Sequence, residues 1–204
     1  RECSIFMKML GMVLKSTGSW YVVRIEDGKT LQCRIRGVMK LQGSKATNPV
    51  AVGDQVEVEV EVVADAGEGR GVITEVKDRK NYIIRRSTNL SKQTHVLAAN
   101  IDRMYILATV SNPRTSAGFI DRLLVTAEAY RIPVTLLINK EDYYAEADLE
   151  KAKAWMSLYR SIGYECILFS ALSKTDIEKL KAKMKDHTNL VAGHSGTGKT
   201  TLIN

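Results

Sequence analysis

Gly193-His194-Ser195-Gly196-Thr197-Gly198-Lys199-Thr200 is the segment whose residue types and spacing most directly imply chemistry. It fits the pattern glycine, any four residues, Gly-Lys-Ser/Thr at every specified position, between an apolar run and Thr201-Leu202-Ile203-Asn204, where a helix can start. Glycines at this spacing let the backbone wrap until successive N–H groups converge on phosphate oxygens. The start of a helix adds partial positive charge. Lys199 is expected to reach the β- and γ-phosphates, the Thr200 hydroxyl to ligate Mg²⁺, and Thr201 to lie beside them. Nothing in this loop chooses between adenine and guanine.

Asn139-Lys140-Glu141-Asp142 makes that choice. The Asp142 carboxylate can accept from guanine N1–H and the 2-amino group, a donor pair that adenine lacks. Sites that read such groups discriminate by about 10⁴ or more. Asn139 is expected to tie its loop to the glycine loop, and the stem of Lys140 to lie over the base. Ser170-Ala171-Leu172 offers a third piece, with the Ala171 N–H aimed at guanine O6. Each short motif alone is also compatible with a polar turn; their joint placement after apolar runs is what selects nucleotide binding. His194 is expected to be a tolerated side chain of the loop rather than a general base, and His95 and His187 to be surface residues.

These loops need strands to hold them. Val134–Ile138, Cys166–Phe169 and Leu190–Ala192 are short apolar runs directly before the three motifs, and Met104–Val110 is a fourth. Between them, Ile120–Ala129, Glu146–Ile162 and a segment opened by a capping box at Thr175-Asp176-Ile177-Glu178 and running to Lys185 read as helices. Alternation of apolar strands with helices predicts a parallel sheet covered on both faces, whose strand ends carry ligand loops.

The first part of the chain has another rhythm. Residues 9–86 read as five or so short strands: an Asp27-Gly28 hairpin signal, a strict Val/Glu alternation from Val56 to Val62, a Gly67, Gly69 and Gly71 loop, and a last strand at Tyr82-Ile83-Ile84. This predicts a small barrel, an OB-fold or an SH3-like one. Residues 87–100 read as a linker, and 101–204 as the α/β part. Residues 1–95 hold 16 Lys/Arg against 11 Asp/Glu, the larger share of a net charge of +7, so the barrel is the part suited to a polyanion. Arg34, Arg36, Lys40, Lys45, Lys77, Arg79 and Lys80 are its candidate RNA contacts, and Trp20 and Tyr21 could stack on bases or serve the core. Cys3, Cys33 and Cys166 form no CxxC pair, which excludes a zinc knuckle or disulfide framework and suits a reducing, cytoplasmic setting. No apolar run approaches bilayer length, so no membrane partner is expected.

The order of the motifs is informative: the base-reading loops at 139 and 170 precede the phosphate loop at 193, the reverse of ordinary GTPases. With all three at the carboxyl ends of parallel strands, a rewired chain can keep the pocket, as in a circularly permuted GTPase. The chain resembles the RsgA/YjeQ family of ribosome-small-subunit-dependent GTPases. The resemblance covers about Met9 to Asn204, through Gly53-Asp54, Arg85-Arg86-Ser87 to Gln93, Ala98-Ala99-Asn100-Ile101-Asp102, Ile120-Asp121-Arg122-Leu123 and the loops above. It implies an OB-fold, a permuted GTPase domain and a C-terminal zinc domain. It also implies GTP or GDP and Mg²⁺ as ligands, and the small ribosomal subunit and its rRNA as partners of a cytoplasmic, monomeric protein in late subunit maturation. Switch regions, a second Mg²⁺-contacting motif and the zinc domain have no counterpart in these residues, so a longer protein is expected, with full hydrolysis only there. The alternative is a nucleic-acid-binding module on a non-hydrolysing nucleotide-binding scaffold; an ATPase or kinase is disfavoured by Asp142.

Overall fold

A computed structural model describes residues 5–37, 48–62, 70–86 and 94–204. The chain divides into two compact units, Arg1–Asn100 and Ile101–Asn204.

In the first unit, β1 (Ile5–Thr17), β2 (Trp20–Ile25), β3 (Thr30–Ile35), β4 (Gln55–Val62) and β5 (Arg70–Val76) close a barrel in the order β1-β2-β3-β5-β4. β3 and β5 run parallel while β1 pairs β4 antiparallel, the five-stranded Greek key of an OB-fold. Alternation sets the interior: Val13, Val23, Leu31, Cys33, Val56, Val58 and Ile73 form its core, and Glu57 and Glu59 point outward between the valines. Tyr21 joins that core, leaving Trp20 on the outer face. Asp27-Gly28 makes the expected turn, with Gly28 at φ +84° and Asp27 Oδ1 accepting from Lys29 N at 2.9 Å. Gly71 lies within β5, paired to Cys33 and Val60, rather than in a loop; residues 67 and 69 lie outside the described residues.

Two expectations change here. Tyr82-Ile83-Ile84 does not complete the barrel: β6 (Tyr82–Arg86) pairs antiparallel with β7 (Thr94–Ala99) in a separate two-stranded sheet. The part of the expected linker from Thr94 to Ala99 is therefore a strand, while 87–93 lies outside the described residues. The cause is tertiary. Asn48 gives β7 a substitute ladder, its side chain accepting from Val96 N at 2.9 Å and donating to Val96 O at 2.8 Å, and Val96 and Ala99 are buried. Gly53, at φ +88°, lets this sheet approach; a Cβ there would sit 2.1 Å from Ala99 O.

In the second unit, β8 (Arg103–Ala108), β9 (Val134–Ile138), β10 (Glu165–Leu168) and β11 (Asn189–Gly193) form a parallel sheet in the order β10-β9-β8-β11. The connections are α1 (Ala117–Ala129), α2 (Glu146–Ser161) and α3 (Lys174–Met184), and α4 (Lys199–Ile203) follows β11. Tyr105, Leu107, Leu137 and Phe169 pack with Leu180, Ile177 and Met184 of α3 and Leu202 of α4. By alternation Met104, Ile106, Leu136 and Ile138 face the other side, and all four are buried. The hydroxyl of Tyr159 in α2 donates to Asp121 of α1 at 2.9 Å.

The cap of α3 is Ser173, not Thr175: Ser173 Oγ accepts from Asp176 N at 3.3 Å. The same spacing of hydroxyl and carboxylate starts two residues earlier than expected, and Thr175 falls inside the helix. No helix among the described residues is long and apolar enough to cross a membrane.

Candidate functional site

Parallel register puts the ends of the four strands on one rim. Ala108 pairs with Ile138, Ile138 with Leu168, and Gly193 with Leu107. The loops leaving β8, β9, β10 and β11 therefore emerge together, at the edge where open α/β sheets bind ligands.

The glycine loop runs from the end of β11 into α4. Gly196 and Gly198 both have positive φ, +80° and +99°. At Gly198 a Cβ would lie 2.3 Å from Asn139 Nδ2, so a side chain there would drive the two loops apart. Thr197 is fully buried and its Oγ1 donates to His194 O at 2.9 Å. The Lys199 ammonium donates to Gly193 O at 2.9 Å and also to His194 O, which keeps the cation over the loop. Thr200 and Thr201 lie in the first turn of α4, and both are exposed.

Asn139 joins all three loops. Its Nδ2 donates to Thr197 O at 2.8 Å and its Oδ1 accepts from Ala171 N at 2.9 Å. The residue is 2% exposed, so both bonds are made away from water. Ala171 N–H is therefore given to Asn139, not held open for guanine O6: a buried amide oxygen requires a donor, and this one is in reach. Ser170 is buried and its Oγ accepts from Leu172 N at 3.1 Å, closing that turn.

Lys140 adopts a left-handed backbone, φ +71°, as the chain enters the 3₁₀ turn Glu141–Tyr143, and its ammonium donates to Asn112 O. Asp142 is exposed on that turn. It lines a cavity of about 280 Å³ with Asn139, Lys140, Ser170, Ala171 and Gly198. Tyr144 was not foreseen from the sequence. It is buried, its hydroxyl donates to Asn139 O and accepts from Val110 N at 2.9 Å, and burial pushes its phenol up from the ordinary value. It anchors the Asn139–Asp142 loop to the end of β8; its only signal was an aromatic residue closely following the motif.

The matches to known proteins agree with this geometry. The model of the RsgA GTPase family matches residues 76–204, and that of the RsgA N-terminal domain matches 10–70. The chain belongs to the RsgA GTPase family. It is 55% identical over 196 residues to the small ribosomal subunit biogenesis GTPase RsgA of Christiangramia forsetii and 49% identical to that of Phocaeicola vulgatus. Each alignment covers 96% of this chain, which spans 62% of the length of each relative. Among solved structures it resembles YjeQ of Thermotoga maritima (TM-score 0.74, 34% identity, covering 97% of this chain and 64% of that one). It also resembles YloQ, described as a circularly permuted GTPase (TM-score 0.72, 28% identity, 97% and 63% covered). The permuted order of the RsgA GTPase unit is visible in the chain itself, the Asn139–Asp142 and Ser170-Ala171 loops first and the glycine loop last.

The basic candidates of the barrel do not behave alike. The Arg34 guanidinium lies 3.9 Å from the centre of the Trp20 ring on the outer face of β2 and β3. Arg36 pairs with Glu59 and Lys77 with Glu75, each at 2.7 Å on the surface. Lys80 is exposed; Lys40 and Lys45 lie outside the described residues. Arg79 is a different case. Its Nε and Nη2 each reach an oxygen of the fully buried Asp54 at 2.7 Å, so this guanidinium is consumed in the interior and offers nothing to a phosphate. Arg24 and Arg70 were missed. Both are exposed, Arg24 opposite Thr30 and Arg70 opposite Gln32. They share the outer face of β2, β3 and β5 with Trp20 and Arg34, and the period-two alternation of those strands was the signal.

Among the described residues no group of three or more His, Cys, Asp or Glu could hold a metal ion. Burial pushes the Cys33 thiol up to about 11, the opposite of an activated or metal-binding thiol.

Proposed function

We propose that this chain binds GTP and GDP with Mg²⁺ and forms part of a GTP-hydrolysing factor in small ribosomal subunit biogenesis. The observation that carries the proposal is Asn139, a buried amide holding the base-reading loop, the Ser170-Ala171 turn and the glycine loop in one constellation. In this reading the N–H groups of His194, Ser195, Gly196, Thr197, Gly198 and Lys199 face the phosphates, while Asp142 reads the guanine edge above the stem of Lys140. The glycine cradle, where a Cβ at Gly198 would collide with Asn139, suits a polyphosphate. Thr200 is the residue that would ligate Mg²⁺, and bound Mg²⁺ would neutralise charge on the phosphoryl oxygens. The zinc implied by family resemblance is not assigned to any residue of this chain.

Titration with a fluorescent GDP analogue in the presence of Mg²⁺ tests this. Saturable binding that GTP displaces and ATP does not is the expected result; no saturable binding, or equal displacement by both, would overturn it.

The barrel supports a second part of the proposal, an interface with ribosomal RNA. Trp20, Arg24, Arg34 and Arg70 put an aromatic ring and three guanidinium groups on the outer face of β2, β3 and β5, the β2–β3 side being where OB-folds bind oligonucleotides. Affinity for small-subunit RNA should fall steeply with salt. The double change Arg34→Ala, Arg70→Ala should make the slope of log affinity against log salt shallower by about 2, one for each phosphate that is no longer neutralised. Filter binding at several salt concentrations reads this; an unchanged slope would remove these arginines from the interface.

A further inference from the structure

Phe119 lies outside every sequence motif that names a nucleotide-binding residue, yet its ring stacks on the His194 imidazole with centroids 3.6 Å apart and planes inclined by 29°. His194 is where the glycine loop is tied internally. Its carbonyl accepts from both Thr197 Oγ1 and the Lys199 ammonium. The direction of that carbonyl fixes where the following N–H groups point, and the imidazole shares its Cα. Phe119 is itself held. Thr115 N donates to Thr109 O at 2.9 Å and Thr109 N to Thr115 Oγ1 at 3.0 Å, fastening the start of α1 to the end of β8. Ser116 then caps α1 by accepting from Phe119 N at 3.3 Å. β8 pairs directly with β11, Leu107 opposite Gly193, so a continuous series of bonded parts runs from the strand beside the glycine loop, through the cap of α1, back to the loop's second residue.

We propose that Phe119 is a positioning residue for nucleotide binding, acting through its stack on His194 to hold the phosphate loop in its binding shape. The proposal rests on the nucleotide assignment above. It needs no direct touch between Phe119 and the ligand. The loop is shaped before the phosphates arrive, so less ordering is required on binding. An aromatic pair is worth about 0.5–1.5 kcal/mol beyond the area it buries, which corresponds to a factor of about 2 to 13 in affinity.

The test is a fluorescent-GDP titration of the protein and its variants with Mg²⁺ present. Phe119→Ala, Phe119→Leu and His194→Ala should each weaken binding about three- to tenfold, with the number of sites per molecule and the preference for GDP over ADP unchanged. Phe119→Tyr, which keeps two stacked rings, should bind like the parent. The double variant Phe119→Ala, His194→Ala should be no weaker than the weaker single one, because both remove the same interaction. Parent-like binding by Phe119→Leu would show that apolar volume suffices and overturn the proposal, as would losses that multiply in the double variant. A drop in the number of sites, in place of a drop in affinity, would mark Phe119 as merely structural and also overturn it. Absence of saturable binding by the parent would overturn the nucleotide assignment itself, a separate outcome from parent binding that the variants leave unchanged.

Discussion

Asp142→Asn is expected to lower affinity for GTP and GDP by about 100- to 1,000-fold while leaving the weak affinity for ATP within about twofold, a loss of most of the selectivity that polar recognition of the base supplies. The carboxylate accepts from two guanine donors at once. An amide offers one acceptor and places an N–H donor against the 2-amino group, so one bond disappears and one approach becomes repulsive. Xanthosine triphosphate, with a carbonyl at that carbon, should gain on the same substitution. The fold should not suffer, since Asp142 is exposed and its carboxylate makes no hydrogen bond within the described residues. The surrounding turn is held by other groups: Lys140 to Asn112, and Tyr144 to Asn139 and Val110. Competition titrations with GTP, GDP, ATP and xanthosine triphosphate check this. Equal losses for GTP and ATP would mean that Asp142 does not read the base.

What the sequence made legible was local. The glycine loop, the Asp27-Gly28 turn and the Val/Glu alternation of β4 each carry their structural reason within a few residues, and each folds as those residues require. So does the order of the loops, because parallel strands place their carboxyl ends on one rim whatever the connections. Features decided by a distant partner were not legible. β7 is a strand because Asn48, far away in the chain, bonds both sides of Val96. Ala171 N–H was open to guanine on paper and is taken by Asn139 in space. Phe119 was an apolar position beside a helical pattern, and only the return of the chain at residue 194 gives it a ring to stack on. Arg79 is the clearest case, since a lysine- and arginine-rich stretch reads as a surface until its buried carboxylate is found.

That pair carries the largest stability prediction. Asp54 is fully buried and accepts from Arg79 Nε and Nη2 at 2.7 Å each, and its Oδ2 also accepts from Ala51 N at 2.8 Å. Arg79 Nη2 additionally reaches Pro49 O at 3.4 Å, so one ion pair fixes the turn into β4 against the segment following β5. Asp54→Ala leaves a largely buried guanidinium with no counter-charge, a loss of about 3–5 kcal/mol. A domain's whole stability is about 5–15 kcal/mol. At about 4–8 °C per kcal/mol for a domain of this size, the barrel's melting midpoint should fall by more than about 10 °C. Arg79→Ala should do comparable damage by stranding the carboxylate instead. Replacing both, Asp54→Leu with Arg79→Met, should recover much of the loss, because the cost lies in the unpaired charge more than in the missing bond. Circular dichroism melting measures all three, and fluorescent-GDP binding should survive in each, since every residue of the nucleotide site lies in Ile101–Asn204. An Arg79→Ala variant that melts like the parent but loses affinity for RNA would reverse the assignment and return Arg79 to the nucleic-acid face.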